Sequence, residues 1–153
     1  MDLCVVGLGK IGLPVAVQAA SSGARVRGVD ISRVVVDQVN AGCEPFPGES
    51  ELEHRLKEVV KDGRLTATTD TTSAASASSA VIVIVPLLVD AQAQPDFGQL
   101  DQATSAIGAG LQPGTIVSFE TTMPVFTTTK RLAPALAVAS RLRLGERSEE
   151  RRV

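Results

Sequence analysis

The stretch Gly7-Leu8-Gly9-Lys10-Ile11-Gly12 constrains this chain more than any other feature. It follows the β-branched run Leu3-Cys4-Val5-Val6 directly. It also opens a segment, Lys10 to Ser22, in which Ile11, Val15 and Ala19, and Leu13, Val17 and Ala20, recur at helical spacing. A second apolar run, Arg25 to Val29, is closed by Asp30, 18 positions after Gly12. Strand, glycines, helix, strand and acid within about thirty residues mark a dinucleotide-binding βαβ unit, whereas the glycines alone are a weak signal. Each part has a physical task. Gly7 permits a tight turn, Gly9 lets a pyrophosphate approach the backbone, and Gly12 allows close helix–strand packing. The helix N-terminus offers unpaired N–H groups and a partial positive charge to phosphates. The Asp30 carboxylate accepts hydrogen bonds from adenosine ribose hydroxyls and repels a 2′-phosphate, which favours NAD over NADP. The alternative is a glycine-rich βα turn that binds nothing, and the completeness of the surrounding pattern argues against it.

The rest of the chain continues the alternation. Ser32 to Ala41 is predicted helical, with Ser32 as N-cap and Gly42 just past the end. The loop Pro45-Phe46-Pro47-Gly48 leads to a helix over Glu49 to Lys61, with Leu52, Leu56, Val59 and Val60 on one stripe and Gly63 as its stop. Leu65 to Thr68 reads as a third strand. Thr66 to Ala80 is almost entirely Thr, Ser and Ala; a disordered linker is one reading, and a strand end followed by a short helix is preferred, because the apolar strand Val81 to Pro86 resumes at once. A loop holding Pro95-Asp96, a helix over Leu100 to Leu111, a strand over Thr115 to Phe119 and a helix from Thr127 to Val138 complete the pattern. Continuous apolar strands alternating with helices predict a single α/β domain: a Rossmann-like, doubly wound parallel sheet with helices on both faces.

Composition narrows the function classes. The 153 residues carry 15 basic and 17 acidic side chains, a net charge of −2, which gives nucleic acid nothing to hold. Cys4 and Cys43 make no disulfide framework, and one histidine makes no metal cluster, so a reducing compartment, the cytoplasm, is expected. Met1-Asp2-Leu3-Cys4 lacks a basic n-region, so no secretory signal is expected, and the longest apolar run, Ala80 to Val89, is about half of a membrane span. With four Phe and no Trp or Tyr, a surface for stacking bases is not expected.

Few side chains outside the glycine turn suggest chemistry. His54 lies among Glu53, Arg55 and Glu58 and reads as solvated rather than catalytic. Cys4 sits inside the first strand as a small hydrophobe, and Cys43 follows Gly42 in a loop; neither is a persuasive nucleophile. Glu120-Thr121-Thr122-Met123-Pro124 follows the last strand at its carboxyl end, where open α/β sheets bind ligands, so its polar groups are expected to face a cofactor.

Taken together, these motifs resemble the NAD-binding domain of the UDP-glucose/GDP-mannose dehydrogenase family, the nucleotide-sugar 6-dehydrogenases. The likeness rests on Val5 to Pro14, Gly28-Val29-Asp30-Ile31, Asn40-Ala41-Gly42, Gly63 to Asp70, Pro95-Asp96-Phe97, Leu111 to Thr115 and Glu120 to Pro124. Within the family the chain is most similar to the branch acting on UDP-N-acetyl-hexosamines, UDP-N-acetylmannosamine dehydrogenase among them. The resemblance implies oxidation of a sugar C6 alcohol to a carboxylate with NAD. It implies that Gly7, Leu8, Gly9, Lys10, Ile11 and Gly12 hold the pyrophosphate and that Asp30, with Ile31 and Arg33 beside it, serves the ribose. Val85 and Pro86 would line the adenine-ribose side, and Glu120, Thr121 and Thr122 the nicotinamide end.

The departures carry implications too. A basic residue common in relatives five positions after the acid is Val35 here, the threonine after Val-Pro is Leu87, and a glycine after Met123-Pro124-Val125 is Phe126. A bulky Phe126 is expected to restrict the close approach that glycine allows. Residues 1–140 would form the domain and 141–153 a charged, frayed tail. By the resemblance, the family's central and C-terminal domains, with the catalytic cysteine and lysine, are expected to lie beyond these residues. The resemblance therefore implies a binding domain inactive alone, with self-association through surface those domains would cover. The alternative is a stand-alone nucleotide-binding or interaction module without turnover.

Overall fold

The computed structural model describes residues 1–46, 51–92 and 94–143. Strand β1 (Asp2–Val6) sends Leu3 and Val5 to one side and Cys4 and Val6 to the other, and all four are buried. A strand buried on both faces must be central, and two apolar layers form around it. Helix α1 (Gly12–Ser21) buries Leu13, Ala16, Val17 and Ala20, one stripe at helical spacing, on the Leu3/Val5 side. It stops at Gly23, whose φ of 96° lets the N–H groups of Gly23 and Ala24 return to Ala20 and Ala19.

Strand β2 (Arg25–Val29) then pairs with β1, and helix α2 (Arg33–Asn40) begins where the Ser32 hydroxyl accepts the Val35 N–H. Helix α3 (Leu52–Lys61) adds Leu52, Leu56 and Val59 to the same layer. Strand β3 (Leu65–Thr68) leads to α4 (Thr71–Ser76), a short helix capped by the Asp70 carboxylate on the Ser73 N–H. The Thr/Ser/Ala stretch is therefore ordered, as its position between two strands predicts. Beyond β4 (Ala80–Val83) come the two-residue strands β5 (Leu88–Val89) and β6 (Pro95–Asp96), helix α5 (Gly98–Gly110), strand β7 (Ile116–Phe119), a π-helical turn over Thr128–Leu132 and helix α6 (Ala133–Ser140).

Five strands form one sheet in the order β3-β2-β1-β4-β7, with every neighbouring pair parallel. Helices α1, α2 and α3 cover one face; α4, α5 and α6 cover the other with Ala74, Ala75, Leu100, Ile107 and Leu136. This is the doubly wound, Rossmann-like sheet expected. The chain leaves β1 toward β2 on one side and returns to β4 on the other, so the switch point, where open α/β sheets form their ligand crevice, lies between the carboxyl ends of β1 and β4.

Two local features differ from expectation. The loop holding Pro95-Asp96 is an antiparallel hairpin, β5 with β6, whose turn is held by Asp90: its carboxylate accepts the N–H groups of Gln92 and Gln94. The last helix does not run unbroken from Thr127. Pro134 has no N–H to give to the carbonyl four residues back, and the ladder widens into the π turn before α6 starts. The Pro47-Gly48 end of the expected loop, the start of the expected helix at Glu49 and the tail from residue 144 lie outside the described residues.

Candidate functional site

The glycine turn is clamped between β2 and β4. The Gly7 N–H donates to the Val29 carbonyl at 2.8 Å, and its φ of 97° is a conformation that side-chain-bearing residues rarely adopt. A methyl group on Gly7 would lie 2.5 Å from the Ile84 carbonyl oxygen, and one on Gly12 only 1.7 Å from the Gly7 carbonyl oxygen. Both glycines are thus demanded by backbone packing. Gly9 is different: a methyl group there would meet nothing within 4 Å. That open side, at the start of α1, is where a phosphate group can come against the chain. The first intrahelical bond from Leu13 reaches back to the Gly9 carbonyl at 3.0 Å, so the amides of this turn precede the helical ladder.

Leu8 is fully buried and rests where a side chain on Gly28 would otherwise be, 2.8 Å from that missing methyl position. Its side chain faces no ligand, and its N–H is already spent, donating to Asp30 Oδ2 at 3.0 Å. The Ser32 N–H donates to Asp30 Oδ1 at 2.9 Å. Asp30 therefore joins the glycine turn to the start of α2 and keeps a lone pair on each oxygen for hydroxyl donors. Gly28 was legible only as part of the strand-end motif; its task of admitting Leu8 emerges from the packing.

The other expected residues line the same end of the sheet. Lys10 and Ile11 are exposed at the start of α1, and Ile31 is 87% exposed beside Asp30. Arg33 is exposed and paired with Asp37 on its own helix, Nε to Oδ1 3.1 Å. Val85 is half-buried next to exposed Pro86, and its carbonyl accepts the Thr121 hydroxyl at 2.8 Å, tying the ends of β4 and β7 together. Glu120 accepts the Ser118 hydroxyl at 2.5 Å, and Thr122 is exposed. The structure thus brings Gly7 to Gly12, Asp30, Val85 and Thr121 to the carboxyl ends of the parallel strands. His54 stands apart on α3, exposed. Val35 is buried on the core-facing side of α2, so nothing at that position reaches a ligand. Leu87 packs into the layer of α5 and α6.

Phe126 adopts φ 69°, the left-handed region, with its ring under Lys130 Nζ at 4.9 Å. Its carbonyl accepts the Lys130 N–H, and Thr127 donates twice to Pro124, so the turn is held on both sides. A β-carbon in this conformation costs about 1–2 kcal/mol, which is the physical reason for glycine at this place. Phe126→Gly is therefore expected to raise stability by about 0.5–1 kcal/mol after the exposed ring–ammonium contact is lost. Urea denaturation checks this, with Phe126→Ala, which keeps the β-carbon, giving no such gain.

A parallel doubly wound sheet with a glycine-lined helix start and an acid at the next strand end defines a dinucleotide-binding domain. The chain matches the description "UDP-glucose/GDP-mannose dehydrogenase family, NAD binding domain" over residues 1–148. It belongs to that family, and NAD is the dinucleotide of the matched domain. The UDP-N-acetyl-D-mannosamine dehydrogenase of Pyrococcus horikoshii is 37% identical over 131 residues, covering 85% of this chain and 30% of that protein. The Campylobacter jejuni enzyme of the same name is 39% identical over 128 residues, 82% of this chain and 30% of its own length. The chain thus spans under a third of these relatives. Among solved structures, the GDP-mannose dehydrogenase of Pseudomonas aeruginosa superposes with a TM-score of 0.88 at 26% identity, over 93% of this chain and 33% of that one. The P. horikoshii UDP-D-ManNAc dehydrogenase gives 0.87 at 34% identity, over 95% and 34%. Among the described residues, no helix is long and apolar enough to cross a membrane, and no cluster of His, Cys, Asp or Glu could hold a metal ion.

Proposed function

We propose that residues 1–140 hold NAD in the β1–β4 crevice for a cytoplasmic nucleotide-sugar 6-dehydrogenase that oxidises the C6 alcohol of a UDP-sugar to a carboxylate. The observation that carries this reading is the pairing of an open Gly9 with an Asp30 carboxylate fixed by two backbone amides. With the Gly7 and Leu8 amides taken by Val29 and Asp30, the N–H groups from Gly9 to Gly12 would hold the pyrophosphate, Asp30 the adenosine ribose, and Thr121 and Thr122 the far end near β7. When bound, NAD supplies the hydride acceptor.

The chain's own residues orient and bind, and the reading assigns this stretch no turnover by itself. Cys4 is buried in β1 with its thiol pushed up to about 12 by desolvation, so it remains protonated and unreactive. Calorimetric titration with NAD and NADP tests the proposal. NAD is expected to bind and Asp30→Ala to weaken it by about tenfold or more, while NADH absorbance stays flat with UDP-N-acetylmannosamine or UDP-glucose. Undiminished binding in the variant, or steady turnover, would refute the respective part. The left-handed Phe126 favours a second reading, a stand-alone nucleotide-binding or interaction module without turnover, and absence of binding to either dinucleotide would bring its interaction form forward.

A further inference from the structure

We propose that Asp37 helps set the dinucleotide preference of this site by tying Arg33 down along α2, so that its guanidinium is withheld from a 2′-phosphate. The inference rests on the reading of Asp30 as the ribose acceptor. Arg33 is the first residue of α2, three positions after Asp30 and next to Ser32, whose N–H holds the Asp30 carboxylate. A guanidinium so close to a ribose site is the group that a phosphate there would recruit, through short charge-assisted hydrogen bonds. In this structure its Nε instead donates to Asp37 Oδ1, one helical turn further along and away from Asp30.

Helix stability does not account for the pair. A cation in the first turn and an anion toward the other end both oppose the helix dipole, and the favoured order at this spacing is acid before base. These are the only charged side chains within Arg33–Asn40. Both are largely exposed, so the tie is weak and the release of Arg33 is worth a modest factor. Asp30 supplies the repulsion of a 2′-phosphate, and Asp37 removes the cation that would offset it.

Calorimetric titrations of the wild-type chain and of Asp37→Asn, Asp37→Glu and the Arg33→Ala/Asp37→Asn double variant, each with NAD and with NADP, test this. Asp37→Asn is expected to strengthen NADP binding by about two- to fivefold with NAD binding unchanged. Asp37→Glu keeps the wild-type ratio, and the double variant loses the gain. If the gain persists without Arg33, or if Asp37→Asn alters both dinucleotides equally, the proposal fails while the NAD site stands. A wild-type chain that binds neither dinucleotide brings down the site reading and this proposal together.

Discussion

Gly12→Ala is expected to destabilise the chain by more than about 4 kcal/mol, in the range reserved for severe backbone or core lesions. The added methyl would lie 1.7 Å from the Gly7 carbonyl oxygen and 2.9 Å from its carbon. Neither partner can yield. Gly7 is bonded through its N–H to Val29 and faces the Ile84 carbonyl on its other side, so the turn is wedged between β2 and β4. The remaining relief is to lift α1 from the sheet, which exposes Leu13, Ala16, Val17 and Ala20. Gly9→Ala makes the contrast. Its methyl meets nothing, so stability should stay within about 0.5 kcal/mol of wild type. The same methyl stands where the pyrophosphate would approach, and NAD binding should weaken by about tenfold or more. Urea denaturation followed by circular dichroism, with calorimetry for NAD, separates the two glycines. A wild-type midpoint for Gly12→Ala would show that the turn can shift. Wild-type NAD affinity for Gly9→Ala would mean the phosphates do not come against that face.

This division of labour among the glycines was only partly visible in the sequence. The order of elements was legible because Leu3-Cys4-Val5-Val6 and Val81 to Val85 are too continuously apolar for a surface, while Leu13, Val17 and Ala20 keep helical spacing. What the pattern could not show is contact between distant positions. Gly28 lies in a strand, and nothing local says that Leu8 fills the space beside it. Asp30 was expected as a ribose acceptor, yet its capture by the Leu8 and Ser32 amides depends on where two loops meet. The β5–β6 hairpin was missed because two-residue strands have no periodicity, and its turn relies on a single carboxylate, Asp90. The left-handed turn at Phe126 leaves no mark in propensity; the glycine of relatives at that position was its one signal.

The Thr/Ser/Ala stretch has the same explanation as the glycine turn, close approach of backbones, and yields the second large expected effect. Helix α4 has no bulky side chain, and its Ala74 and Ala75 are buried, so it can lie almost backbone to backbone on α5. Thr72 completes the contact by donating its hydroxyl to the Ala106 carbonyl at 3.0 Å. A methyl on Gly110 would lie 2.1 Å from the Thr72 carbonyl oxygen and 3.2 Å from the Ser76 nitrogen. Helix α4 cannot retreat without drawing on β3 and β4, which it joins within a few residues on each side and which pair into the sheet. Gly110→Ala is therefore expected to cost at least about 2 kcal/mol despite alanine's better helix propensity, the penalty of overpacking outweighing about 1 kcal/mol of propensity. The urea midpoint should fall accordingly, while NAD affinity of the folded fraction is retained, because the contact lies on the face opposite α1. An unchanged midpoint would mean that α4 slides freely on α5, and the small side chains of this stretch would then need another reason.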